Sequence, residues 1–315
     1  MALTALYDVP APAKLNLFLH VVGRRDDGYH LLQSFFQLID WQDRLHFELR
    51  PSGELSRIDL GPALPADDLS LRAARALKEA SGTPLGAHIA VDKQVPWGAG
   101  LGGGSSDAAT TLIALNRLWQ LGWPRERLLA LGERLGADVP FFLGGHNAWV
   151  EGIGEQLTAV DLAAQATSPD AAAVLAQGLV VLKPPAAVPT AAIFGDKSLP
   201  RSTPRDRLAV FLANPFGFGR NDLQQSAISY EDRSESHLAE SVGGIRLALE
   251  KLERSFGNAR MTGSGSAVFA WAGLDPDAPA ADTVLQQLLA TLPQDWSGRR
   301  CRALAHHPLR DWVPG

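Results

Sequence analysis

From Pro96 to Ser106 the chain runs Pro96, Trp97, Gly98, Ala99, Gly100, Leu101, Gly102, Gly103, Gly104, Ser105, Ser106, a stretch almost free of bulky side chains. A backbone this bare can turn successive N–H groups to one side and admit a bulky anion, and a helix start behind it adds free N–H groups and a positive dipole end. The chemistry it suits is phosphate binding. A second candidate is Asp138, the one carboxylate in Gly136-Ala137-Asp138-Val139-Pro140-Phe141-Phe142. A carboxylate in such apolar company is a candidate for proton transfer, beside the ordinary roles of a solvated or helix-capping aspartate. The third is Thr262-Gly263-Ser264-Gly265-Ser266, another loop of small residues, which also reads as a plain structural turn.

The glycine stretch admits several phosphate-loop readings. Ser105, Ser106 and Asp107 are favoured helix-start residues, and Ala108, Leu112, Leu115 and Trp119 then recur at helical spacing until Leu121-Gly122. Ile89 and Val91 alternate in a strand upstream, so the order is strand, loop, helix. Gly98 to Gly103 matches the G-x-G-x-x-G spacing of a dinucleotide site. That site needs its first glycine directly after the strand and an acid about twenty residues on at a strand end. Here Lys93 to Pro96 intervenes and Glu126 falls in a second predicted helix. A Walker loop ends in G-K-[ST], and no lysine follows Gly104. A glycine-serine ATP loop of another kind and a flexible linker remain, although linkers seldom join a strand to a well-patterned helix.

Ahead of the glycine stretch, Ala13 to Val22 alternates as a strand, with Leu15, Leu17, Leu19 and Val21 on one face and Lys14, Asn16, Phe18 and His20 on the other. Gly23 to Gly28 is a turn into a second strand from Leu31 to Ile39, preceded by Tyr29 and His30, which suit either a core edge and surface or a ligand. Asp67 and Asp68 cap a predicted helix on Leu69, Ala73, Ala76, Leu77 and Ala80. Pro124 to Leu135 reads as a helix, Ala148 to Thr158 as a hairpin, and the alanine-rich run 161–177 with Ser168-Pro169 as a linker between residues 1–160 and 178–315. The second part shows a strand at Leu179 to Lys183, a helix start at Thr190, a helix on Ile245, Leu247, Leu249 and Leu252 that Gly257 ends, a strand at Val268-Phe269, a helix from Thr283 to Leu292 and a strand near Cys301 to Ala305. Strands and helices mix without strict βαβ alternation, which predicts an α+β fold of two domains.

The 315 residues, 46% hydrophobic and 20% charged, suffice for two ordinary globular domains. A net charge of −5 points away from nucleic acid as the main partner. The single Cys301 rules out an internal disulfide framework and a cysteine-cluster metal site, and reads as a small buried residue. No run approaches the roughly eighteen apolar residues of a membrane span, and Met1 to Asp8 lacks the features of a signal peptide, so a cytoplasmic location is expected.

Together these loops resemble the GHMP kinase family, named for its galactose, homoserine, mevalonate and phosphomevalonate kinases. Pro96 to Ala109 looks like its ATP loop, and Thr262 to Ser266 like its third, phosphate-proximal motif. Pro12-Ala13-Lys14-Leu15-Asn16-Leu17, Gly23 to His30 and Gly136 to Pro140 are similar to the member of the family that phosphorylates a cytidine-diphosphate-linked sugar alcohol in isoprenoid synthesis. Other small alcohols of the family, homoserine or mevalonate, are the alternative. The resemblance implies an N-terminal domain like domain 2 of ribosomal protein S5, a ferredoxin-like C-terminal domain and a cleft between them. It implies ATP as co-substrate with Mg²⁺ reached by Ser105 or Ser106, Lys14 and Asp138 as catalytic residues, and Asn16, Tyr29, His30, Thr190 and Phe194 along the substrate. Two positions depart from it: Asp68 stands where an asparagine lies beside the adenine, and Trp97 replaces a methionine.

Overall fold

The computed structural model describes residues 3–165, 178–233, 244–273 and 279–314. Two long strands, β1 (Ala5–Arg24) and β2 (His30–Arg50), form an antiparallel hairpin around which the molecule is assembled. Strand β2 pairs with β4 (Gly86–Asp92) over Arg44 to Arg50 and with β5 (Asn147–Glu151) over Ser34 to Phe36. Strand β3 (Leu55–Asp59) runs parallel to β4, and β6 (Gln156–Val160) closes the sheet beside β5.

Helices α1 (Leu69–Ser81), α2 (Gly103–Leu118), α3 (Arg125–Gly132) and α4 (Val139–Gly144) cover this sheet. Asp68 caps α1, accepting from the Ser70 and Leu71 backbone, and Gly82 ends it in the left-handed conformation. Ala73, Ala74 and Leu77 of α1 pack with Ala108, Leu112, Ile113 and Leu115 of α2 and Phe47 and Ile89 of the sheet. Helix α2 is buried around most of its circumference, more than the single predicted stripe, because α1, α4 and the hairpin enclose it. It begins at Gly103, two residues before the expected serines, and Asp107 lies inside the helix rather than capping it.

In the second part, β7 (Gly178–Lys183), β8 (Arg260–Met261), β9 (Val268–Trp271) and β10 (Ser297–Arg302) form an antiparallel sheet in the order β10-β7-β9-β8. Helices Gln224–Arg233, Gly244–Phe256 and Pro279–Ala290 accompany it, with Ile245, Ala248, Leu252, Leu285 and Leu288 in a common core. Leu247, on the same helix as Ile245, is 38% exposed. The linker reading of 161–177 lies, from residue 166 on, outside the described residues. Strand β10 ends at Arg302; beyond it Leu304 N–H donates to Leu38 O at 2.8 Å, and Leu309 and Val313 join the core of the first sheet.

Strand β1 departs most from its expected half-polar character. Lys14, Asn16, Phe18 and His20 are buried as fully as the leucines opposite. Leu15, Leu17 and Phe18 pack with Leu179, Val181 and Phe269 of the second sheet, so β1 is a shared wall. Bulges between Pro12 and Ala13 and between Asn16 and Leu19 re-aim its side chains along the way. Backbone pairing crosses the same seam, from Leu19 N–H to Arg220 O at 2.9 Å and from Asp222 N–H to Leu19 O at 2.8 Å. A wall made from both domains fixes the residues it carries relative to each of them.

Candidate active site

The glycine stretch turns sharply before α2. Gly98, Gly100 and Gly102 adopt φ of 64°, 75° and 71°, which L side chains rarely tolerate. At Gly100 a Cβ would lie 2.5 Å from the Thr262 carbonyl oxygen, so the two small-residue loops meet backbone to backbone. Ala267 N–H donates to Ala99 O at 3.2 Å and Lys14 N–H to Leu101 O at 2.9 Å, which ties the loop to β1 and to the second domain. The opening turn of α2 then presents N–H groups that have no intrahelical acceptor, beside the positive end of a sixteen-residue helix.

A cleft of about 500 Å³ lies over this loop, bounded by Lys14, Asn16, Ser34, Phe36, Asp138, Thr190 and Phe194 and by Pro96 to Ser105 and Gly263 to Gly265. Asp138 immediately precedes α4, makes no capping bond, and keeps a third of its side chain exposed. Its Oδ2 is 3.8 Å from Lys14 Nζ. That ammonium donates at 2.6 Å to Asn16 Oδ1 and stands 4.7 Å above the Phe36 ring. Asn16 is itself fixed, its N–H donating to Thr262 Oγ1 at 2.8 Å and its amide to Ser34 Oγ at 2.9 Å. Burial lowers the Lys14 pKa below that of a free lysine, and the nearby Asp138 opposes the shift.

The cleft brings together most, but not all, of the residues expected from sequence. Thr190 bonds Ser264 at 2.8 Å, and Phe194 stacks on His30 with ring centroids 5.1 Å apart. Tyr29 is 60% exposed on the β1–β2 turn, and neither it nor His30 lines the cleft, which His30 borders only through Phe194. Ser105 lines it, whereas Ser106 is fully buried with its hydroxyl unpartnered. Thr262 and Ser266 face inward too, Thr262 holding Asn16 and Ser266 donating to Ala186 O at 2.5 Å. The Asp68 carboxylate is engaged by the α1 backbone and by Arg57.

A cluster beneath the loop has no local sequence signal. Lys93 Nζ lies 2.5 Å from Asp43 and 2.6 Å from Asp107, all three nearly sealed from solvent. The two carboxylates raise the Lys93 pKa against its desolvation, while burial pushes the Asp107 carboxyl well above the usual carboxylate range. Asp43 Oδ1 also accepts from Gln94 and Val95 N–H at 2.6 and 2.7 Å, anchoring the segment that leads into Pro96. Asn221 is a second such residue, its amide holding Met261 O and Gly263 O at 2.7 and 2.8 Å.

Two family models match, GHMP kinases N terminal domain over residues 68–146 and GHMP kinases C terminal over 219–294. A 4-diphosphocytidyl-2-C-methyl-D-erythritol kinase of Methylibium petroleiphilum is 59% identical over 313 residues, covering 99% of this chain and 100% of the relative. One of Cupriavidus taiwanensis is 52% identical over 307 residues, covering 96% and 95%. A crystal structure of 4-(cytidine 5'-diphospho)-2C-methyl-D-erythritol kinase superposes with a TM-score of 0.71 at 32% identity, covering 93% of this chain and 98% of that one. A mevalonate kinase structure, at 14% identity and a TM-score of 0.62 over 95% and 98% of the two chains, shares the fold. With the glycine loop, the buried lysine and the aspartate in one cleft, the chain belongs to the GHMP kinase family, among its 4-diphosphocytidyl-2-C-methyl-D-erythritol kinases.

Proposed function

We propose that the protein transfers the γ-phosphoryl group of ATP to the 2-hydroxyl of 4-diphosphocytidyl-2-C-methyl-D-erythritol, a step of the non-mevalonate route to isoprenoids. The observation that carries this reading is the pairing of Lys14 and Asp138 at the mouth of the glycine loop, with Asn16 holding the lysine in place. The backbone N–H groups from Gly98 to Ser105 cradle the phosphates, and the Gly263 to Gly265 loop closes on them from the second domain. Asp138 orients the substrate hydroxyl and takes its proton as the oxygen bonds to phosphorus. The β,γ-bridging oxygen leaves with the bonding pair as ADP. Lys14, as ammonium, stabilises the charge on the transferring group. Phosphoryl transfer passes through a loose transition state, so positioning and fixed charge outweigh strong basicity.

The residues present suit Mg²⁺ held chiefly by phosphate oxygens. The Ser105 hydroxyl borders the cleft close to Gly136, on the segment that bears Asp138, while no group of three or more His, Cys, Asp or Glu side chains forms a metal cage among the described residues. Bound there, the ion would neutralise charge on the departing phosphate. Asn16, Thr190 and Phe194 line the acceptor side. His30 and Phe194 form the seat of the cytosine, with Tyr29 reaching it from its exposed turn. The homoserine and mevalonate alternatives share only the fold with this chain, at 13–17% identity. Residues 1–160 and 178–315 serve as the two domains, in the cytoplasm where both small-molecule substrates are at hand. The test is ADP release on mixing purified protein, ATP, Mg²⁺ and the cytidine substrate, with the product identified as the 2-phosphate. Absence of acceptor-dependent ADP would refute the reading.

A further inference from the structure

His30 opens β2 with its ring on Phe194, the two planes 28° apart. At the edge of that stack Arg201 Nε donates to His30 Nε2 at 3.2 Å. The guanidinium is held from behind, by the Asp196 carbonyl at 2.7 Å and the Leu199 carbonyl at 3.3 Å. An arginine only donates and is not deprotonated in proteins. His30 Nε2 must therefore present a lone pair, and the proton of the neutral ring sits on Nδ1, which has no partner among the described residues. An imidazolium would set two N–H groups against each other. Consistently, burial and then Arg201 and Arg24 lower the His30 pKa below its ordinary value.

We infer that Arg201 is a positioning residue that locks His30 as an Nδ1–H donor toward the base of the acceptor substrate and thereby selects cytosine over uracil. This rests on the proposed seat of the base at His30 and Phe194. Cytosine carries a bare acceptor at ring position 3, whereas uracil carries an N–H there. A fixed donor is satisfied by the first and opposed by the second. A ring free to exchange tautomers would accept from uracil and lose the distinction.

The test has two arms on the full-length protein. In the first, long-range ¹H–¹⁵N correlation of histidine-labelled protein without substrate should show His30 with a protonated Nδ1 and an unprotonated Nε2. Arg201→Met should lose that state and Arg201→Lys, which keeps a donor, should restore it. In the second, kcat/KM for the cytidine-linked acceptor over its uridine-linked analogue should fall about tenfold in Arg201→Met, mainly through KM, the effect of one misplaced hydrogen bond in a polar site. A wild-type His30 protonated at Nε2, or an unchanged cytidine-to-uridine ratio in Arg201→Met, overturns the inference. Failure of the wild type to use the cytidine acceptor at all refutes the proposed function instead, and the tautomer measurement still judges Arg201.

Discussion

Lys14 Nζ lies 3.8 Å from the Asp138 carboxylate, beyond hydrogen-bonding reach, while its short bond of 2.6 Å goes to Asn16. The carboxylate is thus paired with the lysine by charge alone, and its oxygens stay free of that hydrogen bond to face the cleft. Asp138→Asn keeps the size and the α4 start but removes both the charge and the proton acceptor. Turnover should fall by about 10²- to 10⁴-fold with ATP affinity preserved. Steady-state kinetics with nucleotide-binding isotherms check this, and near-normal turnover would take Asp138 out of the chemistry.

The alkaline side of the rate profile should report Lys14. Burial lowers its pKa, so the ammonium that the reaction uses is lost at a lower pH than in a free lysine. For stability the sign is that of a depressed base: the buried charge costs the native state below the folded pKa. That cost is relieved as pH rises from the folded toward the unfolded value. Rate measured against pH for wild type and Lys14→Arg decides it. The arginine variant, slower because its fork replaces a compact ammonium, should retain its residual activity to higher pH. Coincident alkaline limbs would show that another group governs the profile.

The glycines of the ATP loop should differ sharply in what they tolerate. Gly98 and Gly100 both have positive φ, but a Cβ at Gly98 meets open space, whereas at Gly100 it would lie 2.5 Å from the Thr262 carbonyl oxygen. Gly98→Ala should therefore cost only the left-handed strain, about 1–2 kcal/mol. Gly100→Ala must also push apart the two loops that enclose the phosphates, and should raise KM for ATP by at least about tenfold more than Gly98→Ala does. Equal effects would mean that the contact between the loops is not what shapes the site.

Much of this site was legible in the sequence because its parts are local. The glycine loop with its helix, the start of a helix at Thr190 and the apolar surroundings of Asp138 each announce themselves within a dozen residues. Strand β1 was legible as a strand but not as a wall. Alternation told one face from the other, yet the groups around the polar face come from elsewhere in the chain: Phe36 and Asp138 around Lys14, Ser34 and Thr262 around Asn16, and Trp149, Phe211 and Phe218 around Phe18. The same separation hid Arg201, which meets His30 across 171 positions, and Thr262, which holds Asn16 across 246. Side-chain direction was the other blind spot. Ser105 and Ser106 are chemically the same, and only the exact start of α2 turns one to the cleft and the other into the core.

Lys93 offers the last prediction, because it sits between two buried carboxylates directly under the loop. Its Nζ is within 2.6 Å of both Asp43 and Asp107, and a Cβ on Gly103 would come within 3.2 Å of it. Lys93→Met removes the cation that bridges the two carboxylates, leaves negative charge without compensation in the interior, and should cost roughly 3–5 kcal/mol. Asp107→Asn should cost less. Its carboxyl is already pushed toward the neutral form by burial, and Lys93 keeps Asp43 as its partner. Because Asp43 also anchors the backbone of Gln94 and Val95, Lys93→Met should in addition raise KM for ATP, through a loop that no longer starts from a fixed point. Urea unfolding and nucleotide titration of the two variants separate these effects. If Asp107→Asn proved the more damaging, the cluster would be held by the carboxylate on α2 rather than by the lysine beneath it.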